Sequence, residues 1–213
     1  MKINIKKEKV ISFDIDSQNG FTPNCPDELP VKNALDIVDE LNLNATYAQY
    51  RFMSKDAHPE NGIWTATDEN PQFSLVNEKN VDIRWNKHCV VGTYGFELID
   101  GLPHPSEYDY LVYKGVERDM HPYSPIYHDL NKTISTGVIE MAKILGVDTF
   151  IIGGLATDYC IREAVLDLRK AGFNVILNKA ATKGVADDLS KTYIEFEKNG
   201  VIIVENAKEI EQL

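Results

Sequence analysis

The chain has 213 residues, 43% hydrophobic and 26% charged, the balance of a globular protein able to bury a sizeable core. Its formal charge of −11 and its pI near 4.9 argue against a nucleic acid or an anionic membrane as partner. Three scattered cysteines, Cys25, Cys89 and Cys160, are too few for a disulfide framework and fit a reducing cytoplasm, and no apolar stretch approaches the roughly 18 residues of a membrane span.

After a lysine-rich start, residues 10–13 form an apolar run too short for a signal-peptide core, read instead as a buried strand. Residues 31–41 predict a helix with Val31, Ala34, Leu35 and Val38 on one face, and 46–53 a second strand. Residues 110–113 predict a third strand, followed by an irregular stretch to about residue 130. Val138, Met141, Ala142 and Leu145 mark a helix closed by Gly146, and the next strand is 149–152. Ile161, Ala164, Val165 and Leu168 give a helix from Cys160 to Gly172, with Thr157 or Asp158 as its N-cap. Residues 174–177 read as a strand, 187–198 as a helix and 201–204 as a last strand. This alternation predicts βαβ units and a mainly parallel sheet. The segments 54–108 and 114–130 are long for plain connections, which marks them as functional or disordered.

Cys160 follows a buried strand and opens a helix, where free N–H groups and the helix dipole favour thiolate. It is a candidate nucleophile, with a small buried apolar cysteine as the alternative. Asp16 follows the first strand, where it could take a proton from a thiol and return it to a leaving group, or serve only the turn. Asp14, two residues earlier, is the competing carboxylate. Lys114 ends the third strand, and its ammonium could hold carboxylate and thiolate in register or simply be solvated. Asp56 and His58 share one side of an extended segment, a pair suited to zinc, iron or manganese, and His88 is available as a third ligand. His104, His121 and His128 lie in polar loops and receive no role. The chain has no glycine-rich phosphate loop, serine elbow, HExxH or CxxC, which counts against NTPase, dinucleotide-dehydrogenase and common serine-hydrolase chemistry.

The stretches DIDSQNGF, SKDAHP, WNKHCVVGTYG, YKG, GGLATDYCIREAVLDLRKAGFNV and KAATKGV occur in this order over nearly the whole chain. Together they resemble the nicotinamidase/pyrazinamidase branch of the isochorismatase-like cysteine hydrolases. The resemblance implies one α/β domain over residues 1–213, a three-layer αβα fold doubly wound around a mainly parallel six-stranded sheet. It implies a cytoplasmic enzyme of NAD salvage that hydrolyses nicotinamide to nicotinate and ammonia through a cysteine thioester. Asp16, Lys114 and Cys160 match the catalytic triad, and Ala156 and Cys160 the oxyanion hole, with a cis peptide before Ala156. Phe21 and Trp85 match the rings that sandwich the pyridine, and Asp56, His58 and His88 the ligands of one divalent metal, zinc first, with iron or manganese next. The implied partner is a small amide, and a homo-oligomer stays open.

The chain departs from that family pattern in three places. Gly20 stands where the family usually has the aspartate of QNDF. No histidine follows SKDAHP, which leaves Glu60, Asp68 or water as the fourth ligand. The segment 116–130 is longer and more polar than usual, able to reshape the pocket mouth or an oligomer contact. Against a metal-free amidase or carbamoyl hydrolase stand Asp56, His58 and His88; against an isochorismatase stands Cys160, which vinyl-ether cleavage does not need. An idle binding protein on this fold would not need Asp16, Lys114 and Cys160 together.

Overall fold

The computed structural model describes residues 5–213. One sheet holds β1 (Val10–Ile15), β2 (Tyr50–Asp56), β5 (Tyr110–Lys114), β6 (Thr149–Leu155), β7 (Asn174–Lys183) and β8 (Ile202–Val204). The order is β5-β2-β1-β6-β7-β8, and every neighbouring pair is parallel. The helices are α1 (Val38–Thr46), α2 (Val138–Ile144), α3 (Cys160–Lys170) and α4 (Ser190–Lys198). Between β2 and β5 the chain makes an excursion that contains a separate antiparallel hairpin, β3 (Leu75–Glu78) and β4 (Val81–Ile83).

β1 and β6 are buried along their whole length because helices cover both faces of the sheet. Strand alternation sends Phe13, Phe150 and Ile152 into one core with Val138 of α2, Val165 of α3 and Phe196 of α4. Val10, Ile151 and Ile176 turn to the other face, against Ala207 and Ile210. Leu41 of α1 packs there with Ile37 and Ala181. Each such side chain contributes about 1.5–3 kcal/mol when taken out of water. Phe13, fully buried with the Phe52 and Phe150 rings 6.3 Å away, is a single point where truncation to alanine would destabilise by about 3–5 kcal/mol.

The chain winds outward from β1 in both directions, through β2 and β5 on one side and β6, β7 and β8 on the other. The carboxyl ends of β1 and β6 therefore flank the switch point, where open parallel sheets bind ligands. Gly154 lets them approach: its φ is 121°, and a Cβ there would sit on the Ile15 carbonyl oxygen. Any side chain at this position would push the end of β1 away from the end of β6.

Several boundaries differ from the sequence expectation. The predicted helix 31–41 is a 3-10 turn (Ala34–Ile37) running into α1, after Asn33 in a left-handed conformation. The three-residue spacing of that turn buries Val31, Ala34 and Ile37 and leaves Leu35 exposed. Thr46 closes α1 instead of opening β2; its hydroxyl donates to the Leu43 carbonyl at 2.7 Å. The expected helix 187–198 begins at Ser190, whose N–H donates to the Asp188 carboxylate at 2.9 Å. β7 runs on to Lys183 past a register shift opposite Ile152 and Gly154. Among the described residues no helix is long and apolar enough to cross a membrane.

Candidate active site

Asp16 stands just beyond β1, at a left-handed turn with φ 47°. Its N–H donates to the Ser54 carbonyl at 3.1 Å, and its carboxylate accepts the Ser54 hydroxyl at 2.7 Å. Lys114 is the last residue of β5 and the register partner of Asp56 at the end of β2. Its buried ammonium lies 3.0 Å from Asp16 Oδ2 and 3.5 Å from Cys160 Sγ, and touches Asp56 Oδ1. A buried ammonium is stable only when paired. Burial would lower Lys114, but the carboxylates of Asp16 and Asp56 hold it well above its ordinary value and therefore charged. An oxygen from each of these aspartates and the Cys160 sulfur all lie within 4.8 Å of one another. Asp14 is used elsewhere: Arg51 pairs with it at 2.7 Å and the Tyr108 hydroxyl donates to it at 2.9 Å.

The thiol does not behave as its helix position predicts. Burial pushes Cys160 well above the ordinary thiol value; Lys114 opposes this, and Asp16 and Asp56 add to it. A helix dipole supplies about 0.3–1 kcal/mol at a surface, less than burial of a charge in low dielectric takes away. The resting pair is a neutral thiol beside a carboxylate. Burial also raises Asp16, to about 6, against the pull of Lys114. Neither expected cap serves α3, which follows Tyr159 without a side-chain cap. Thr157 meets the Thr182 hydroxyl at 2.7 Å, and the Asp158 carboxylate accepts the Val185 and Ala186 N–H groups at 2.9 Å each. The Leu155-Ala156 peptide is cis, as the resemblance implies. The Tyr159 and Ile161 N–H groups both return to the Ala156 carbonyl at 3.1 Å, and the Cys160 N–H between them donates to no group among the described residues.

Beside this centre, His58 Nδ1 faces the Gly115 carbonyl at 3.1 Å and His88 Nδ1 faces the Asn86 carbonyl at 2.6 Å. A carbonyl can only accept, so each Nδ1 carries the proton. Burial holds His58 below the ordinary imidazole value, in its neutral form. The two Nε2 lone pairs then aim at Asp56, 3.5 Å from Oδ1 for His58 and 3.8 Å from Oδ2 for His88. Burial alone would raise Asp56, but Lys114 and His58 keep it well below the usual carboxylate range. Three acceptors converging on one point fit a cation between them. Two imidazoles and a carboxylate suit zinc, iron or manganese, and the two carbonyl contacts are of the kind that orient imidazoles toward a metal. Gly115 makes room for this: its φ is 68°, and a Cβ there would lie 2.5 Å from His58 Cε1 and 2.6 Å from Nδ1.

A cavity opens over these groups, lined by Phe21, Trp85, His88, Ala156 and Cys160 among others. Trp85 donates its Nε1–H to the Tyr123 hydroxyl at 3.1 Å, and that hydroxyl donates to Asp82 of β4 at 2.8 Å. Tyr159 meets Trp85 edge-on at 4.9 Å. Phe21, Asp56, Trp85, His88, Ala156 and Cys160 line this cavity, and Lys114, Asp16 and His58 adjoin it through their contacts with Asp56 and Cys160.

Residues 13–208 match the isochorismatase domain. The chain belongs to the isochorismatase family. Among its relatives is a nicotinamidase of Acinetobacter baylyi, 31% identical over 192 residues and 88% of each chain. Its fold is similar to a solved nicotinamidase/pyrazinamidase of Acinetobacter baumanii, with a TM-score of 0.86 at 27% identity over 95% of this chain and 98% of that one. It is also similar to a pyrazinamidase of Pyrococcus horikoshii solved in complex with zinc, with a TM-score of 0.72 at 27% identity over 92% and 98% of the two chains.

The departures from the isochorismatase-family pattern have local causes. A Cβ at Gly20 would collide with the Glu28 carboxylate and lie 2.7 Å from Cys89 Sγ. Glu28 therefore fills the space an aspartate at position 20 would take, and it accepts the Cys89 N–H at 2.8 Å. Neither candidate fourth ligand reaches the imidazoles: Glu60 is exposed and paired with Lys87 at 2.7 Å, and Asp68 is exposed. Trp64 packs on His58 and His88 instead, at 4.4 and 5.3 Å between ring centres. His121 lies in a loop, as expected, but it is buried there and stacks on His58. His104 only caps the 3-10 turn Pro105–Glu107. The segment 116–130 forms part of the pocket wall through His121 and Tyr123. Tyr123, Tyr159 and Asp82 are site residues that sequence reasoning missed.

Proposed function

We propose that this protein hydrolyses nicotinamide to nicotinate and ammonia, with Cys160 as nucleophile. The observation that carries the reading is the Cys160, Lys114 and Asp16 contact set at the floor of an aromatic cavity, beside the three converging ligand groups. Asp16, with its affinity for a proton raised to about 6, takes the Cys160 proton as Sγ attacks the amide carbon. The carbonyl electron pair moves to oxygen, where the N–H groups of Ala156 and Cys160 receive it. When the C–N bond breaks, Asp16 returns its proton to nitrogen and ammonia leaves. Water then gives a proton to Asp16 and adds to the thioester carbon; the C–S bond breaks and Cys160 recovers its proton. Lys114 keeps the two carboxylates apart and offsets their charge throughout.

Asp56, His58 and His88 would hold the divalent metal, zinc first and iron or manganese next. When bound, it supplies positive charge and open coordination positions for the ring nitrogen and water. Phe21 and Trp85 orient the ring so that its carboxamide faces Cys160, a positioning term that converts a bimolecular attack into a local one. The purified protein should release nicotinate and ammonia in equal amounts from nicotinamide, and benzamide, which lacks the ring nitrogen, should be a much poorer substrate. Equal turnover of the two amides would overturn the metal's role and leave a metal-independent amidase.

A further inference from the structure

The segment between β5 and α2 carries one buried histidine that this chemistry leaves unused. His121 is 4% exposed, yet neither of its ring nitrogens has a hydrogen-bond partner among the described residues. An unpaired buried polar group is destabilising, and this ring holds two. The other two histidines at the site each tie Nδ1 to a carbonyl; His121 has no such tie. Its ring lies parallel to that of His58, 5.0 Å away with 13° between the planes, and 5.7 Å from that of His88. One nitrogen from each of the three rings lies within 4.8 Å of the other two. The backbone fixes this position, since the His121 N–H donates to the Asn80 carbonyl at 2.9 Å, and the Trp64 ring packs on it at 4.7 Å.

We infer that His121 is the third imidazole of the metal centre, sharing one divalent cation with Asp56, His58 and His88. This rests on the metal-centre reading above and adds a ligand to it. It accounts for the side chains that surround the cluster. Glu60 and Asp68 stay in solvent because the ligand comes from another part of the chain, and Trp64, which has no donor atom for a metal, is left to wall the cluster. The competing role is a packing one, since the His121 ring also lies parallel to Trp85 at 6.1 Å.

His121→Phe separates the two, because it keeps an aromatic ring and removes both nitrogens. Wild type, His121→Phe, His121→Ala and His58→Ala are stripped of metal and titrated with zinc against a chromophoric chelator. Iodoacetamide labelling of Cys160 and circular dichroism monitor the fold. Both His121 variants should lose at least about a hundredfold in zinc affinity, the upper end of what losing an outer-shell partner does. Zinc binding by His121→Phe equal to wild type, with binding lost in His58→Ala, would overturn the inference and leave the metal centre standing. A wild type that binds no zinc would overturn both, and its ammonia release from nicotinamide would show separately whether the hydrolase reading survives. If the His121 variants do not fold, X-ray absorption on the zinc-loaded wild type counts the imidazoles directly: three are expected, and two would refute the assignment.

Discussion

Asp56 and Lys114 end neighbouring strands of one parallel ladder, with Asp16 just past a third, whereas His88, His121, Trp85 and Tyr123 come from two excursions that leave the sheet. The first group is placed by backbone register and by the close approach of β1 and β6 at Gly154. The second is placed by ring packing and by isolated hydrogen bonds, from His88 to the Asn86 carbonyl, from Trp85 to the Tyr123 hydroxyl and from Tyr123 to Asp82. On the proposed mechanism the residues that move protons thus sit at the ends of the rigid scaffold, and the groups proposed to hold metal and substrate sit mainly on loops positioned by it. His58 spans the two groups, two residues past β2 and seated against Gly115 just past β5. Damage to Asp16 or Lys114 should change rate at constant metal content, damage to the second group should change binding with the thiol intact, and damage to Asp56, a strand end facing both imidazoles, should do both.

The largest effect in that comparison is expected at Asp16. Asp16→Asn keeps the shape but cannot take the thiol proton, so kcat should fall by about 10²–10⁴ while metal content stays at the wild-type level. Asp14→Asn, inside β1 and engaged with Arg51, should leave kcat within a few-fold and lower the denaturation midpoint instead. A kcat loss in Asp14→Asn matched by none in Asp16→Asn would reverse the assignment. Next is Gly115→Ala, which strikes the loop-held half from the strand end. Its Cβ would press on the His58 ring at 2.5–2.6 Å from an already left-handed backbone, so metal affinity should fall about 10–100-fold with Cys160 still labelled at the normal rate. Unchanged metal affinity would mean that His58 can shift without consequence.

The pH dependence is smaller and sharpens the same contrast. Burial raises Asp16 to about 6, and only its carboxylate form can accept a proton. Below that value kcat/KM should fall about tenfold per pH unit, and above it the profile should be flat until another group titrates. A profile with no break between pH 5 and 7 at constant metal occupancy would show that Asp16 is not the base.

The strand-borne half was legible in the sequence because apolar runs ending near Asp16, Lys114 or the Gly153-Gly154 pair mark parallel strands directly, buried in β1 and β6 and half-exposed in the edge strand β5. The loop-borne half was legible less directly: the Asp56-x-His58 spacing marked a metal-binding pair with His88 available as a third ligand, and only the motif resemblance supplied Phe21 and Trp85. His121 carried no local signal: Asp119-Met120-His121-Pro122 reads as a polar turn, and its burial comes from packing against residues distant in the chain. The β3–β4 hairpin was invisible for a similar reason. Its strands lack an alternating apolar face, Leu75 being 85% exposed, so no period of two appears. The state of the thiol was misread because the helix dipole can be seen in a sequence, whereas burial beside two carboxylates cannot.

In the proposed mechanism Cys160 performs the chemistry on a centre that does not need it for assembly. The decisive measurement is ammonia release from nicotinamide by wild type and Cys160→Ala at matched zinc content. Wild type should turn over, the variant should stay at the uncatalysed rate, and both should hold equal zinc. Turnover retained in metal-replete Cys160→Ala would rule out Cys160 as the nucleophile.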